Sequence, residues 1–172
     1  MTSKNKVLEP DWGQQAAAAG GAGARTDGGD GAPTVWVHAQ DGFMPSKAHE
    51  SDVGFDCRAA IDEPIALQPG SMTLVPLGFG IATPVGYTSD IRPRSGLSSR
   101  GIVVMYGTVD PGYRGEVKAC VCNLSNMPFV VQPKDRIAQL VILPAPQLAL
   151  TSIGALDDTD RSDGGFGSTG VK

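Results

Sequence analysis

From Thr34 to Pro146 the apolar residues come in short runs, TVWVHA, MTLVPLGFGIATP, TSDIRP, IVVMYG, VKACVC, PFVVQ and IAQLVILPAP, divided by PG, PVG and NMP turns. Alternation with a period of two sends successive side chains to opposite faces, so these runs read as strands. Strands so short and so closely punctuated predict an antiparallel all-β fold, closed as a barrel or stacked as a sandwich. The twenty-three Gly and thirteen Pro of the chain agree with many tight turns and few long helices. One short helix is expected within the core, starting at Ser95.

A chain of 172 residues is about one domain. Residues 1–33, with AAAAGGAGA and DGGDGAP, lack periodicity and large apolar side chains and read as a disordered tail, leaving 34–150 as the β core. Residues 151–172, polar and then rich in glycine, read as a mobile arm. A net charge of −4 gives no footprint for a nucleic acid polymer, although a free nucleotide needs only a local cationic pocket. No apolar run approaches the roughly 20 residues that span a bilayer, and the N-terminus has no signal-like apolar stretch. The expectation is a soluble, intracellular protein, cytoplasmic, or also nuclear in a eukaryotic or viral setting, with no membrane partner.

Cys57, Cys120 and Cys122 cannot all pair within one chain, and the spacing of the last two is not a CxxC motif. They read as small apolar fillers. Two histidines, His38 and His49, leave little material for a histidine zinc site or a Ser-His-Asp triad.

Chemistry concentrates in a few segments. GTVDPGYRGE, from Gly107 to Glu116, sets one carboxylate and one aromatic ring in a glycine-rich hairpin. Val104 to Tyr106 are expected to lead in, Asp110, Pro111 and Gly112 to make the reversal, and Val117 to Cys122 to return as the second arm. Asp110 at its mouth can accept a proton from water, and the Tyr113 ring can pack against a ligand. Taken alone, the two residues are better read as a turn aspartate and a tyrosine packed on the sheet.

Ser95 and Gly96, opening a helix, aim free backbone N–H groups outwards, and Arg94 adds a guanidinium able to bind phosphate oxygens in pairs. A capping serine beside a surface arginine is the plainer reading of the same residues. Asp56 in GFDCRA fits a loop carboxylate capping a turn as well as an outer partner of magnesium held by phosphates and water. Asp135 and Arg136 of DRIAQL read as an ion pair. In the arm, Phe166 offers a flat face to a base, Arg161, Ser168 and Thr169 can bind anionic oxygens, and glycines such as Gly167 permit close backbone approach.

In this order, SDVGFDCRAA, PRSGLSSRG, GTVDPGYRGE, DRIAQL and RSDGGFGSTG resemble the trimeric dUTPases, over nearly everything from Val35 to the C-terminus. The resemblance implies a jelly-roll-like barrel, and a homotrimer whose active sites are shared between subunits, so that a monomer is inactive. It implies Mg2+-dependent hydrolysis of dUTP to dUMP and pyrophosphate, which limits uracil incorporation into DNA and supplies dUMP for dTTP synthesis.

Carried over residue by residue, Asp110 orients and deprotonates water for attack on the α-phosphorus. Arg94, Ser95 and Gly96 hold the phosphate chain, and Gln139 points towards it. Main-chain groups from Gly107 to Val109 read uracil in a slot too narrow for a methyl group, and Tyr113 beneath the sugar excludes a 2′-OH. Arg161, Phe166, Gly167 and Ser168 close over the nucleotide, and Asp56 stands near the metal. The chain departs from the family pattern at Cys57, usually Leu, at Lys134, where glycine is expected, and at Ser162 and Asp163, which bring a negative charge near the phosphates.

Two rivals are weighed. The related dCTP deaminases need a glutamate on the returning strand, where this chain has Cys120. A non-catalytic nucleotide-binding or regulatory module would not need the full set of Asp110, Tyr113, Ser95, Gln139, Arg161 and Phe166, all of which are present.

Overall fold

The computed structural model describes residues 33–159. Its elements are β1 (Trp36–Ala39), β2 (Phe55–Arg58), β3 (Ile65–Leu67), β4 (Met72–Pro76), β5 (Phe79–Ala82), β6 (Tyr87–Arg92), α1 (Ser95–Ser98), β7 (Ile102–Val104), β8 (Gly107–Val109), β9 (Lys118–Asn123), β10 (Phe129–Val131) and β11 (Arg136–Pro144). The all-β expectation holds, with the short helix starting at Ser95 as foreseen. The tail before residue 33 and the arm from residue 160 lie outside the described residues.

The strands form a four-stranded sheet ordered β2-β11-β6-β8, a three-stranded sheet ordered β4-β9-β7, and the pairs β1-β5 and β3-β10. All of these pairings are antiparallel. Period-two alternation does the sorting: Ala119 and Val121 of β9, Ile102 and Val104 of β7 and Val75 of β4 are buried, whereas Lys118, Met72 and Leu74 are exposed. The buried faces meet Leu77, Phe79, Ile137 and Leu140 in one core, each large side chain contributing about 1.5–3 kcal/mol by leaving water. Asn123 is fully buried but satisfied, its amide donating to the carbonyls of Leu67 (2.9 Å) and Met127 (2.8 Å) while its Oδ1 accepts from the Ser125 amide and hydroxyl.

Three sequence expectations are corrected. The run MTLVPLGFGIATP is not one strand: it breaks at Leu77–Gly78 into β4, paired with β9, and β5, paired with β1. Gly78 has φ +71°, and a methyl there would stand 2.7 Å from Phe43 Cγ, so both conformation and space demand glycine.

The segment FDCR, absent from the runs read as strands, is strand β2 on the edge of the larger sheet, where Asp56 pairs with Gln139 of β11. Its Cys57 is buried to 0 % exposure, and burial, helped by the Asp56 charge, pushes the thiol up to about 12 against a backbone hydrogen bond at Leu140. That thiol is an inert filler, as expected.

The hairpin is also redistributed. β7 pairs with β9, but the chain then leaves that sheet, and Gly107–Val109 pair as β8 with β6. The segment carrying Asp110 therefore bridges two sheets.

Lys134 is the single non-glycine residue with positive φ among the described residues, at +66°. Its N–H donates to Ala59 O (2.9 Å) and its carbonyl accepts from Arg58 Nη1 (3.1 Å). The turn thus keeps the left-handed geometry that glycine adopts freely, at a cost of roughly 1–2 kcal/mol for a lysine.

Candidate active site

Three of the chemistry-bearing segments converge on one carboxylate. Asp56, on β2, accepts from Arg94 Nε at 2.7 Å and Arg94 Nη2 at 3.4 Å, and from Arg136 Nη1 at 3.0 Å. Arg94 Nη1 also donates to the Arg136 carbonyl at 2.9 Å. Arg136 is therefore the partner of Asp56, not of its neighbour Asp135, whose Oδ2 accepts the Gln132 N–H at 2.8 Å. Two guanidiniums on one partly buried carboxylate leave a surplus positive charge, and bonds from three of its nitrogens fix the plane of the Arg94 guanidinium.

Directly after Arg94 the chain turns into α1. Its amides at Leu97 and Ser98 both donate to the Arg94 carbonyl, and no side chain caps the helix. The amides of Ser95 and Gly96 precede those bonds and stay open, as the sequence suggested. A methyl at Gly96 would meet nothing within 4 Å. Arg94, Leu97, Arg100, Asp135, Arg136 and Ile137 line a cleft of about 440 Å³ beside this helix. Arg100 lies 5.4 Å from the Phe129 ring centroid, its charge held over the ring face. Gln139, on β11, donates from Nε2 to the Pro93 carbonyl at 2.9 Å, tying the strand to the segment that enters α1.

Asp110 stands elsewhere, at the exposed end of β8. Gly107, Val109, Asp110, Tyr113, Glu116 and Lys118 line a second cleft, of about 340 Å³. The reversal closes with the Tyr113 N–H donating to the Asp110 carbonyl at 3.0 Å, and Tyr113 OH donates to the Glu116 carbonyl at 3.0 Å. The tyrosine ring lies over Gly115, where a methyl would come 2.6 Å from Cζ. Because β8 pairs on one side alone, with β6, its outer edge offers main-chain donors and acceptors to a ligand. The two clefts share no lining residue.

Arg94, Ser95, Gly96, Gln139 and Asp56 are thus brought together, as are Gly107, Val109, Asp110 and Tyr113, but one chain keeps the groups apart. Arg161, Phe166, Gly167 and Ser168 lie outside the described residues. Among the described residues no cluster of three or more His, Cys, Asp or Glu is placed to hold a metal ion.

One constellation was missed in the sequence. Asp90 of β6 is 2 % exposed and accepts from Arg92 Nη2 (3.0 Å), Thr108 Oγ1 (3.1 Å) and the Tyr106 hydroxyl. Burial pushes its carboxyl up, yet the hydrogen bonds from Tyr106, Arg92 and Thr108 outweigh that and hold it below the ordinary carboxylate value. The signal was there: Thr88, Asp90 and Arg92 alternate along one strand, and Tyr106, just before β8, alternates with Thr108 within it.

Fold and clefts define an all-β protein with an arginine-rich anion cleft and a separate carboxylate on an open strand edge. A dUTPase family model matches residues 40–170. The chain is 44% identical over 138 residues to the deoxyuridine 5′-triphosphate nucleotidohydrolase of Neorickettsia sennetsu, covering 78% of this chain and 93% of that protein. The dUTPase of Staphylococcus bacteriophage 80alpha with dUPNHPP superposes with a TM-score of 0.72 at 25% identity, over 80% of this chain and 99% of that one. A mutant dUTPase from phage phi11 of S. aureus, whose structure describes coordination of a structural Mg(II) ion, does so at 0.64 with 23% identity, over 71% and 97%. The chain belongs to the dUTPase family, and its strands form that family's jelly roll.

Proposed function

We propose that this protein hydrolyses dUTP to dUMP and pyrophosphate, keeping uracil out of DNA and providing dUMP for dTTP synthesis. The observation that carries the reading is the pairing, in one dUTPase-family chain, of a cleft lined by Arg94, Arg100 and Arg136, next to the start of α1, with an exposed aspartate on an open strand edge. In this reading the open amides of Ser95 and Gly96 and the cationic cleft hold the phosphates, with Arg94 fixed in place by Asp56. Gln139 orders the entry to α1. The edge of Gly107–Val109 reads uracil by main-chain hydrogen bonds, and Tyr113 packs beneath the deoxyribose. Asp110 takes a proton from the water that attacks the α-phosphorus in line, and the electron pair of the breaking P–O bond leaves with pyrophosphate. Arg161, Phe166, Gly167 and Ser168 cover the bound nucleotide and exclude water.

Magnesium suits this site as an ion carried on the phosphates. Both Asp56 oxygens are already engaged by arginines, so the carboxylate serves as an outer partner through water and not as a direct ligand. When bound, the ion supplies charge neutralisation on the departing pyrophosphate.

Two clefts without a common residue are joined most simply between subunits, and we place the enzyme as a homotrimer with shared sites. In support, Leu148, Leu150 and Leu156 are at least 81% exposed on the strand-free segment after β11, an apolar stretch that suits a neighbour's surface. We place the protein in the cytoplasm, and also in the nucleus of a eukaryotic host, which fractionation with an antibody would test.

The decisive experiment measures pyrophosphate release from dUTP, dTTP, dCTP and UTP with magnesium, for the wild type and Asp110→Asn. Release from dUTP alone, lost in the variant, supports the reading. A folded wild-type trimer that releases pyrophosphate from none of them sinks it and leaves a nucleotide-binding module.

A further inference from the structure

β8 is three residues long, pairs on one side alone, and yet presents the residues assigned above to base reading and water activation. Three backbone pairs between short strands are marginal support for such precision. The side chains supply the rest. Asp90 sits directly opposite Thr108 in the β6–β8 register and receives its hydroxyl at 3.1 Å. The same carboxylate receives the hydroxyl of Tyr106, the residue just before β8, and Arg92 Nη2 at 3.0 Å. Arg92 Nη2 also donates to Tyr106 OH at 3.2 Å, and the guanidinium lies 5.3 Å from that ring's centroid. Thr88 Oγ1 approaches the carboxylate at 3.5 Å.

Burying a carboxylate is costly unless it is paired, and here the bonds from Tyr106, Arg92 and Thr108 offset that cost. What the charge adds is register: a slip of one residue would turn Thr108 to the opposite face and strand the carboxylate without its partners. Gly107, Thr108 and Val109 all line the second cleft beside Ile91, so tying Thr108 to Asp90 fixes the backbone of that wall.

We propose that Asp90 is a positioning residue, which through Tyr106 and Thr108 locks the register of the edge strand that selects the base. This rests on the dUTP reading above. The locked edge keeps the slot at its narrow width, so its loss relaxes discrimination between uracil and its 5-methyl counterpart.

The test compares wild type, Asp90→Asn and Tyr106→Phe as assembled proteins, reading kcat and KM for dUTP and dTTP together with thermal unfolding. The expected result is a KM for dUTP raised about tenfold, a dUTP over dTTP ratio of kcat/KM lowered by about tenfold, and kcat for dUTP within about threefold of wild type. A purely structural role lowers the melting temperature and the active fraction while leaving KM and the ratio unchanged, and that outcome overturns the proposal. Tyr106 is 61% exposed, so Tyr106→Phe keeps the test open if Asp90→Asn fails to fold. A wild type without dUTP turnover overturns the functional reading and this inference with it, whereas a selective wild type with equally selective variants overturns this inference alone.

Discussion

The Gln139 side chain lies against Gly54 so closely that a methyl added to Gly54 would stand 3.0 Å from its Cδ and closer still to its Oε1. A methyl there would push the Gln139 amide aside, and with it the Nε2 that makes the 2.9 Å bond to the Pro93 carbonyl. Gly54→Ala should therefore loosen the entry to α1 and lower kcat/KM for dUTP by about tenfold, with a melting temperature lower by a few degrees, roughly what 1 kcal/mol produces. Steady-state kinetics beside thermal unfolding would check this, and wild-type kinetics in the variant would refute the coupling.

Asp110 is exposed and at the end of its strand, so its replacement leaves the core untouched. Asp110→Asn should reduce pyrophosphate release by about 10²–10⁴-fold, the usual contribution of a positioned base, while the unfolding midpoint stays within about 0.5 kcal/mol of wild type. Retained turnover would remove Asp110 from the role of base.

Gly96 and Gly107 have no positive φ, and a methyl on either meets nothing within 4 Å of the chain itself. The subunit itself therefore does not demand glycine at either position, and the open space beside both backbones is free for a close approach by the nucleotide. Alanine at either position should leave the subunit fold intact and raise KM for dUTP by about tenfold or more, about 1.4 kcal/mol of binding. Calorimetric titration with a non-hydrolysable dUTP analogue would show it, and undiminished affinity would mean the site does not approach these residues.

The strands were legible because each core face alternates with a period of two, as in Ala119 and Val121 against Lys118. The strand break at Gly78 was not, because the run remains apolar across it, and a demand for φ +71° beside Phe43 arises from tertiary packing. The Arg136 pairing was misread for a similar reason: adjacency suggested Asp135, but β2 delivers Asp56 from 80 positions away. The likeness to a family marked Arg94, Asp110 and Gln139. It was silent on Asp90, whose partners lie two, sixteen and eighteen positions off and meet only through sheet pairing.

Lys134 stands in a left-handed conformation at φ +66°. Lys134→Gly should stabilise the protein by about 1 kcal/mol, read as a higher denaturant midpoint, with dUTP kinetics unchanged. A loss of stability would mean that the lysine side chain repays the backbone cost.

Asp90 is held below the ordinary carboxylate value, since the hydrogen bonds from Tyr106, Arg92 and Thr108 outweigh its burial. The unfolded chain binds that proton more tightly than the folded one. Its contribution to stability is therefore complete above the unfolded value of about 3.9 and is lost as pH falls through the lower folded value. Asp90→Asn should be less stable than wild type at neutral pH, with the gap narrowing below about pH 4. Urea unfolding across that range would decide it, and a gap that is constant with pH would mean the carboxylate's charge is not what matters.

The meeting of Arg94 and Arg136 on Asp56 also dictates when the cleft comes into being. Its three segments are separated by 38 and 42 positions along the chain, the first from the second and the second from the third. During synthesis, the aspartate and the first arginine emerge long before the strand that completes their arrangement. A chain ending before Arg136 thus carries Asp56 and Arg94 but lacks the second guanidinium and the strand that pairs with both β2 and β6, and the anion cleft is completed only once β11 docks.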